Sequence, residues 1–271
     1  VTETHHKDQV VAHELEVNGT WYQRTLDLSD DYIATHPDQF SGKRLRYDPY
    51  NIPFLFTPRP DRVLVVGSGM GNDVAAALRN GASHVVAVEI DPQILSAGRR
   101  LHPEHPYSSQ RVEAIINDAR NYFKRSGQRF DLIIFGLLDS HTLSSNFANI
   151  RLDNYVYTQE AFKEAKRLLR EGGLIIVKFE VQRDWLGRRM QQMLAAVFGQ
   201  PPLVFRDEEG VGARASVFVA GDPERIRKVL EADQELATFI GAHAITYPPD
   251  SGTLATDDWP FLYHRGRYIP Q

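Results

Sequence analysis

Val63-Leu64-Val65-Val66-Gly67-Ser68-Gly69-Met70-Gly71 is the stretch that decides the fold. Four consecutive apolar residues, rather than alternating ones, describe a strand covered on both faces, as in a parallel sheet flanked by helices. Three glycines at alternate positions then let the backbone turn tightly and approach a ligand, because no Cβ stands in the way. The helix predicted next, 72–79, stops at Asn80-Gly81 and offers the unpaired N–H groups of its first turn.

The same grammar repeats outward from this loop. Strands are predicted at 62–66, 84–89, 111–116, 131–135, 173–179 and 202–205, with a late strand at 212–220. Amphipathic helices fill the gaps. One at 158–169 is capped by Thr158 and ended by Gly172-Gly173, and a long charged one covers 223–239. The expectation is an α/β fold: a doubly wound, mostly parallel, seven-stranded sheet of Rossmann-like type over residues 59–240. Residues 1–58 read as a small β-rich lobe, with a hairpin at 13–28 turning on Asn18-Gly19, a disordered end at His5-His6 and a stiff connector at Thr57-Pro58-Arg59-Pro60. Residues 241–271 are expected to form a tail packed on the domain.

Composition narrows the partners. The 31 basic residues are outnumbered by 35 acidic ones, so a groove for a phosphate backbone is not expected and nucleic acid is not a predicted partner. There are no cysteines, which removes thiolate chemistry and disulfides. No apolar run approaches the roughly 20 residues of a membrane helix, and no signal pattern opens the chain, so a soluble, cytoplasmic domain is expected. The start at Val1 fits a processed chain or a piece of a longer one.

Two carboxylates extend the glycine loop into a ligand site. Glu89 stands 22 residues after Gly67 at the end of the second strand, where an acidic side chain accepts hydrogen bonds from both hydroxyls of a ribose. Asp118 follows the third strand, where a carboxylate can accept from an exocyclic adenine amine. The bland alternative is that the loop merely turns, Glu89 pairs with an arginine and Asp118 caps a helix. A dinucleotide enzyme is the nearer rival, but its G-x-G-x-x-G spacing puts the third glycine one residue later than here. The expected ligand is therefore S-adenosylmethionine, bound by Gly67, Ser68, Gly69, Gly71, Glu89, Ile90, Asp118 and Ala119.

At these residues the chain resembles the class I S-adenosylmethionine-dependent methyltransferases, and more narrowly their spermidine synthase-like branch. The carriers are Val63 to Gly71, Val88-Glu89-Ile90-Asp91-Pro92, Asp118-Ala119-Arg120 and the stretch from Phe130 to Asp139. The resemblance implies a methyltransferase-type fold and a ligand that is S-adenosylmethionine, its decarboxylated form or methylthioadenosine. It also implies a small-molecule acceptor; a homodimer stays open as a partner state. The N-terminal hairpin resembles that branch's small lobe and brings Gln23 to the substrate side. Two positions depart from the branch. Aminopropyltransferases carry an Asp where this chain has Met70, and the first Asp of an Asp-x-x-Asp pair where it has Gly136; only the second, Asp139, is present. A cationic polyamine needs anionic partners and a base, so the expected function is transfer of a methyl or alkyl group to a small nucleophile rather than spermidine synthesis itself. Two alternatives stay open: a non-catalytic cofactor-binding module attached to a membrane protein, and a polyamine aminopropyltransferase with an altered active site. Gly71 to Arg79, His102 to Tyr107, Arg151 to Thr158 and Thr256 to Tyr263 resemble strings of spermidine synthase-like domains found beside membrane-spanning segments, which implies a membrane domain in a longer parent.

Asp139 and His141 follow the fourth strand and are the candidate catalytic base or orienting group, with loop solvation as the alternative. The segment 140–157 is long for a connection and reads as a lid. In it Arg151, Asp153, Tyr155 and Tyr157 could contact substrate or brace the lid. Asp257 and Asp258 could close over an amine or pack the tail onto the sheet edge. His102 and His105 read as a structural turn, because Pro103 and Pro106 break the helix that would align them, and no metal is expected.

Overall fold

The computed structural model describes residues 1–6, 9–17, 20–40, 42–138, 152–207, 215–247 and 252–265. The N-terminal lobe is a three-stranded antiparallel sheet of β1 (Thr2–His6), β2 (Gln9–Val17) and β3 (Thr20–Arg24). The end expected to be disordered is thus a paired strand, with His5 opposite Val10 and His6 opposite Gln9. Three short helices follow, α1 (Asp30–Thr35), α2 (Gly42–Arg46) and α3 (Ile52–Phe56). Ile52, Phe54 and Phe56 are buried in the same core as Val63 and Val65, so the chain enters the main core before the proline connector.

The main sheet is built from β4 (Arg62–Val66), β5 (His84–Glu89), β6 (Val112–Ile116), β7 (Phe130–Phe135), β8 (Leu169–Phe179), β9 (Leu203–Arg206) and β10 (Ser216–Gly221). Their spatial order is β6-β5-β4-β7-β8-β10-β9; β10 runs antiparallel to both its neighbours, and the other pairs are parallel. This is the doubly wound, seven-stranded α/β sheet the apolar runs predict. Alternate side chains feed two cores. Leu64, Val66, Ile133 and Phe135 face α6 (Ala119–Arg125), α7 (Gln159–Arg167) and α8 (Asp184–Phe198). Val63, Val65, Leu132 and Ile134 face α3, α4 (Asn72–Arg79) and α10 (Gln234–His243). Full burial of each such side chain contributes about 1.5–3 kcal/mol, which is why a continuous apolar run specifies this sheet so firmly.

Some elements differ from expectation. The helix predicted over 158–169 ends at Arg167, and β8 begins at Leu169; Gly172 and Gly173 lie inside the strand, where Gly173 packs against the Phe130 and Arg170 carbonyls. The predicted helix 223–239 is two helices, α9 (Pro223–Ala232) and α10, because the Asp233 side chain caps the Leu236 N–H and starts a new one. The fifteen-residue α8 was not anticipated: Met190, Met193 and Leu194 bury one face of it, but arginines and glutamines interrupt the apolar pattern.

The chain leaves β4 toward β5 and β6, then crosses back to β7 on the other side of β4. Such a reversal opens a crevice at the carboxyl ends of the two central strands. Gly67 after β4 and Gly136 after β7 stand at its floor.

Candidate active site

Gly67 and Gly69 adopt φ values of 67° and 54°, in the left-handed region. A Cβ on Gly67 would overlap the Leu138 side chain, and one on Gly69 would come 2.5 Å from Gln23 Oε1, so both positions require glycine. The loop between them uses up its own donors. The Gly67 and Ser68 N–H groups donate to the Val88 carbonyl at 2.9 and 3.0 Å, and that of Gly71 donates to the Ser68 carbonyl at 3.0 Å. Gly69 N–H donates to Glu89 Oε2 at 2.8 Å, and Met70 N–H to Gln23 Oε1 at 3.0 Å. Tyr107 braces the loop from below, its hydroxyl donating to the Gly69 carbonyl at 2.7 Å.

Glu89 closes β5 as a buried carboxylate. Its other oxygen, Oε1, accepts from Asp91 N–H at 3.0 Å. Burial raises its pKa, while the N–H groups of Asp91 and Gly69 oppose the shift. Each oxygen keeps a lone pair beyond these bonds, which suits a pair of vicinal hydroxyls. Beside it, Ile90 and Ile116 remain 44% and 56% exposed at the ends of β5 and β6, two large apolar side chains at the mouth of one crevice. Asp118 caps α6, its Oδ1 accepting from Asn121 N–H at 2.9 Å, and Ala119 beneath it is buried. One lone carboxylate oxygen of Asp118 therefore stays available beside a cap function.

The lobe is clipped to this loop by Asn72, the first residue of α4. Asn72 Nδ2 donates to the Arg24 carbonyl at 2.8 Å and to the Tyr50 hydroxyl at 3.1 Å, while Oδ1 accepts from Leu26 N–H at 3.0 Å. His102 completes the junction. It is fully buried, with Nδ1 accepting from Glu104 N–H at 3.1 Å and Nε2 standing 3.1 Å from Asn72 Oδ1, which assigns the proton to Nε2. Burial above all, with Arg79 nearby, lowers its pKa to about 3, so the ring is neutral.

The far wall of the crevice holds a feature the sequence reading missed. Lys178 of β8 is fully buried and paired with Asp73 of α4, and its ammonium lies 4.3 Å from the centre of the Tyr50 ring. The available signal was a charge inside the apolar run Leu174-Ile175-Ile176-Val177-Lys178-Phe179, since a buried ammonium requires an anionic partner. Met70 is buried against Ile94 and Ala97 and points away from the crevice floor.

The remaining predicted residues divide. Asp139, His141 and Arg151 lie outside the described residues, as does the Asp153 side chain. Tyr155, in the 3₁₀ turn Leu152–Tyr157, is 40% exposed. Tyr157 is instead fully buried, edge-on to Phe179 with ring centres 5.4 Å apart, because the chain dives into the core as it enters α7. Asp257 braces the tail: Oδ2 takes a 2.6 Å bond from Arg120 and Oδ1 a 2.8 Å bond from Thr158. Asp258 is exposed. Gln23 reaches the glycine loop.

The spermine/spermidine synthase domain matches residues 50–197. The chain belongs to that family. Among its relatives, a polyamine aminopropyltransferase of Pyrobaculum aerophilum is 32% identical over 166 residues, covering 58% of this chain and 53% of the relative. One of Vibrio vulnificus is 34% identical over 124 residues, 45% of this chain and 38% of the relative. The chain spans about half the length of the curated relatives it matches. In fold it is similar to a spermidine synthase solved with the transition state analogue AdoDATO, with a TM-score of 0.52, 16% identity, and 85% of this chain and 88% of that one covered. Human methyltransferase-like protein 13 with SAH gives a TM-score of 0.51 at 22% identity, covering 73% and 89%. Within the described residues, no helix is long and apolar enough to cross a membrane.

Proposed function

We propose that the chain is an alkyl transferase of the aminopropyl type, taking its group from decarboxylated S-adenosylmethionine and delivering it to an amine. The observation that carries this is the state of the glycine loop: all five N–H groups from Gly67 to Gly71 are satisfied within the protein. A carboxylated donor would bring a carboxylate to a loop with no N–H left for it, whereas the decarboxylated tail carries only an ammonium, which asks for acceptors and no donor. Glu89 suits the ribose hydroxyls, and Ile90 and Ile116 suit the faces of an adenine. The names of the relatives point the same way.

A bound sulfonium donor supplies an already activated carbon, so the protein's part is mainly positioning. Glu89 and the loop orient the nucleoside, and the carbon to be transferred is directed toward Gly136 and the Asp73–Lys178 wall. Calorimetric titration with decarboxylated S-adenosylmethionine, S-adenosylmethionine and methylthioadenosine tests this. The decarboxylated donor is expected to bind at least about tenfold more tightly than the carboxylated one, and Glu89→Ala to lose about 10- to 100-fold, the worth of one to two charge-assisted hydrogen bonds. Preference for the carboxylated donor would return the reading to methyl transfer. Met70 and Gly136, which put no carboxylate where aminopropyltransferases carry one, favour a second reading: a nucleotide-binding module without turnover. Consumption of the donor in the presence of a diamine separates the two.

A further inference from the structure

Three elements meet at one point on the acceptor side of the crevice: the end of β7 at Gly136, the first turn of α4 at Asp73 and the end of β8 at Lys178. Asp73 Oδ1 is engaged by the buried Lys178 ammonium. Oδ2 takes no hydrogen bond among the described residues and lies 3.4 Å from where a Cβ on Gly136 would stand, while the same Cβ would be 2.9 Å from the Gly67 carbonyl oxygen. That point has no room for a side chain, because the Gly67 and Val66 carbonyl oxygens and Asp73 Oδ2 converge on it, so only glycine fits at 136. The Asp73 side chain keeps 7% of its surface accessible, whereas that of Lys178 keeps none.

From this arrangement we infer that Asp73 Oδ2 is the anionic contact for the acceptor's attacking amine, with Lys178 as the group that holds the carboxylate in place. The inference rests on the transferase reading above and names the residue that receives its amine acceptor. A buried ion pair is poor value as a stability device, because the desolvation of both charges offsets much of their attraction. It does supply direction. With one oxygen fixed by an ammonium packed against the face of Tyr50, the other is aimed at a set position without reorganisation when substrate arrives. Asp73 also sits in the first turn of α4, where the helix dipole favours negative charge.

In the step itself an N–H of the neutral acceptor amine donates to Oδ2, which turns the nitrogen lone pair toward the donor carbon. The N–C bond forms as the C–S bond breaks, the electron pair of the broken bond stays on sulfur, and methylthioadenosine is released as a neutral thioether. The positive charge passes to the new secondary ammonium, which faces Asp73 until it leaves or loses a proton to water. Lys178 never meets the substrate; it is a positioning residue.

The test is titration of 1,4-diaminobutane into the full chain saturated with methylthioadenosine, for the unchanged protein, Asp73→Asn, and the double variant Asp73→Asn/Lys178→Gln. The double variant leaves no stranded buried ammonium, so it stays folded where the single one is at risk. Methylthioadenosine affinity is expected to stay within about threefold of the parent, while diamine affinity falls by at least about tenfold in the double variant, the worth of one charge-assisted hydrogen bond. A double variant that binds the diamine as tightly as the parent overturns the inference. So does a parent that binds methylthioadenosine but no diamine. If the parent binds both ligands and consumes no donor, the transferase reading fails, and the diamine titration still decides the role of Asp73.

Discussion

The two walls of the crevice are built on different principles. The proposed donor wall, from β4, β5 and β6, uses backbone N–H groups, one buried carboxylate and two exposed isoleucines, and its loop N–H groups are shared among Val88, Glu89, Gln23 and Ser68. The acceptor wall, from β7, β8 and α4, uses an ion pair between residues 105 positions apart in the chain. Spreading the bonds over several partners makes the first wall tolerant of losing any one of them. The second wall depends on a partner brought in by the whole fold, so removing either half strands a charge.

Lys178→Met is the change that strains this contrast most. It leaves Asp73 buried without its counter-ion and is expected to cost about 3–5 kcal/mol of folding stability, read as a lowered midpoint in urea. Should the midpoint hold, the pair is not a unit and the acceptor wall is no more fragile than the donor wall.

The junction between lobe and domain gives a pH-dependent version of the same contrast. His102 is neutral in the fold, with a pKa of about 3 against an ordinary 6.5, so the unfolded chain binds more protons between these values. Stability is therefore complete above about pH 6.5 and declines as pH falls toward 3. By pH 5 the loss is about 2 kcal/mol, from 1.36 kcal/mol per pKa unit. His102→Gln, with an amide able to serve Asn72 and Glu104, should flatten that slope between pH 6.5 and 5. A slope left unchanged would assign the acid sensitivity to other groups.

The smallest expected effect sharpens the donor wall. Gln23→Ala frees the Met70 N–H at a cost of about 1 kcal/mol. With a donor restored to the loop, the preference for the decarboxylated ligand should fall severalfold in side-by-side titrations. A preference that does not move would mean the loop's occupied N–H groups do not set it.

The legible part of this molecule was its local part. β4, the glycine loop, α4 and Glu89 stand where apolar runs, alternate glycines and a carboxylate 22 residues on predicted them, because each depends on neighbours a few residues away in the chain. Gln23 was legible only through resemblance, and the loop N–H it accepts from was not legible at all. The reading of 223–239 as one helix failed because periodicity does not register a side-chain cap at Asp233, and Tyr157 was read as a substrate contact or lid brace rather than a core residue because a tyrosine is equally suited to a lid and to a core.

By itself the sequence determined the sheet, its parallel direction and the place of the glycine loop and Glu89, since burial of consecutive apolar residues and the backbone freedom of glycine act over short distances. Tertiary structure alone decided that the loop keeps no N–H for a carboxylate, that Asp257 serves Arg120 and Thr158, and that Asp73 is turned to Lys178 beside a bare Gly136. Hydrogen bonds and ion pairs of that kind depend on where three or four distant strands end in space, and no spacing along the chain encodes it.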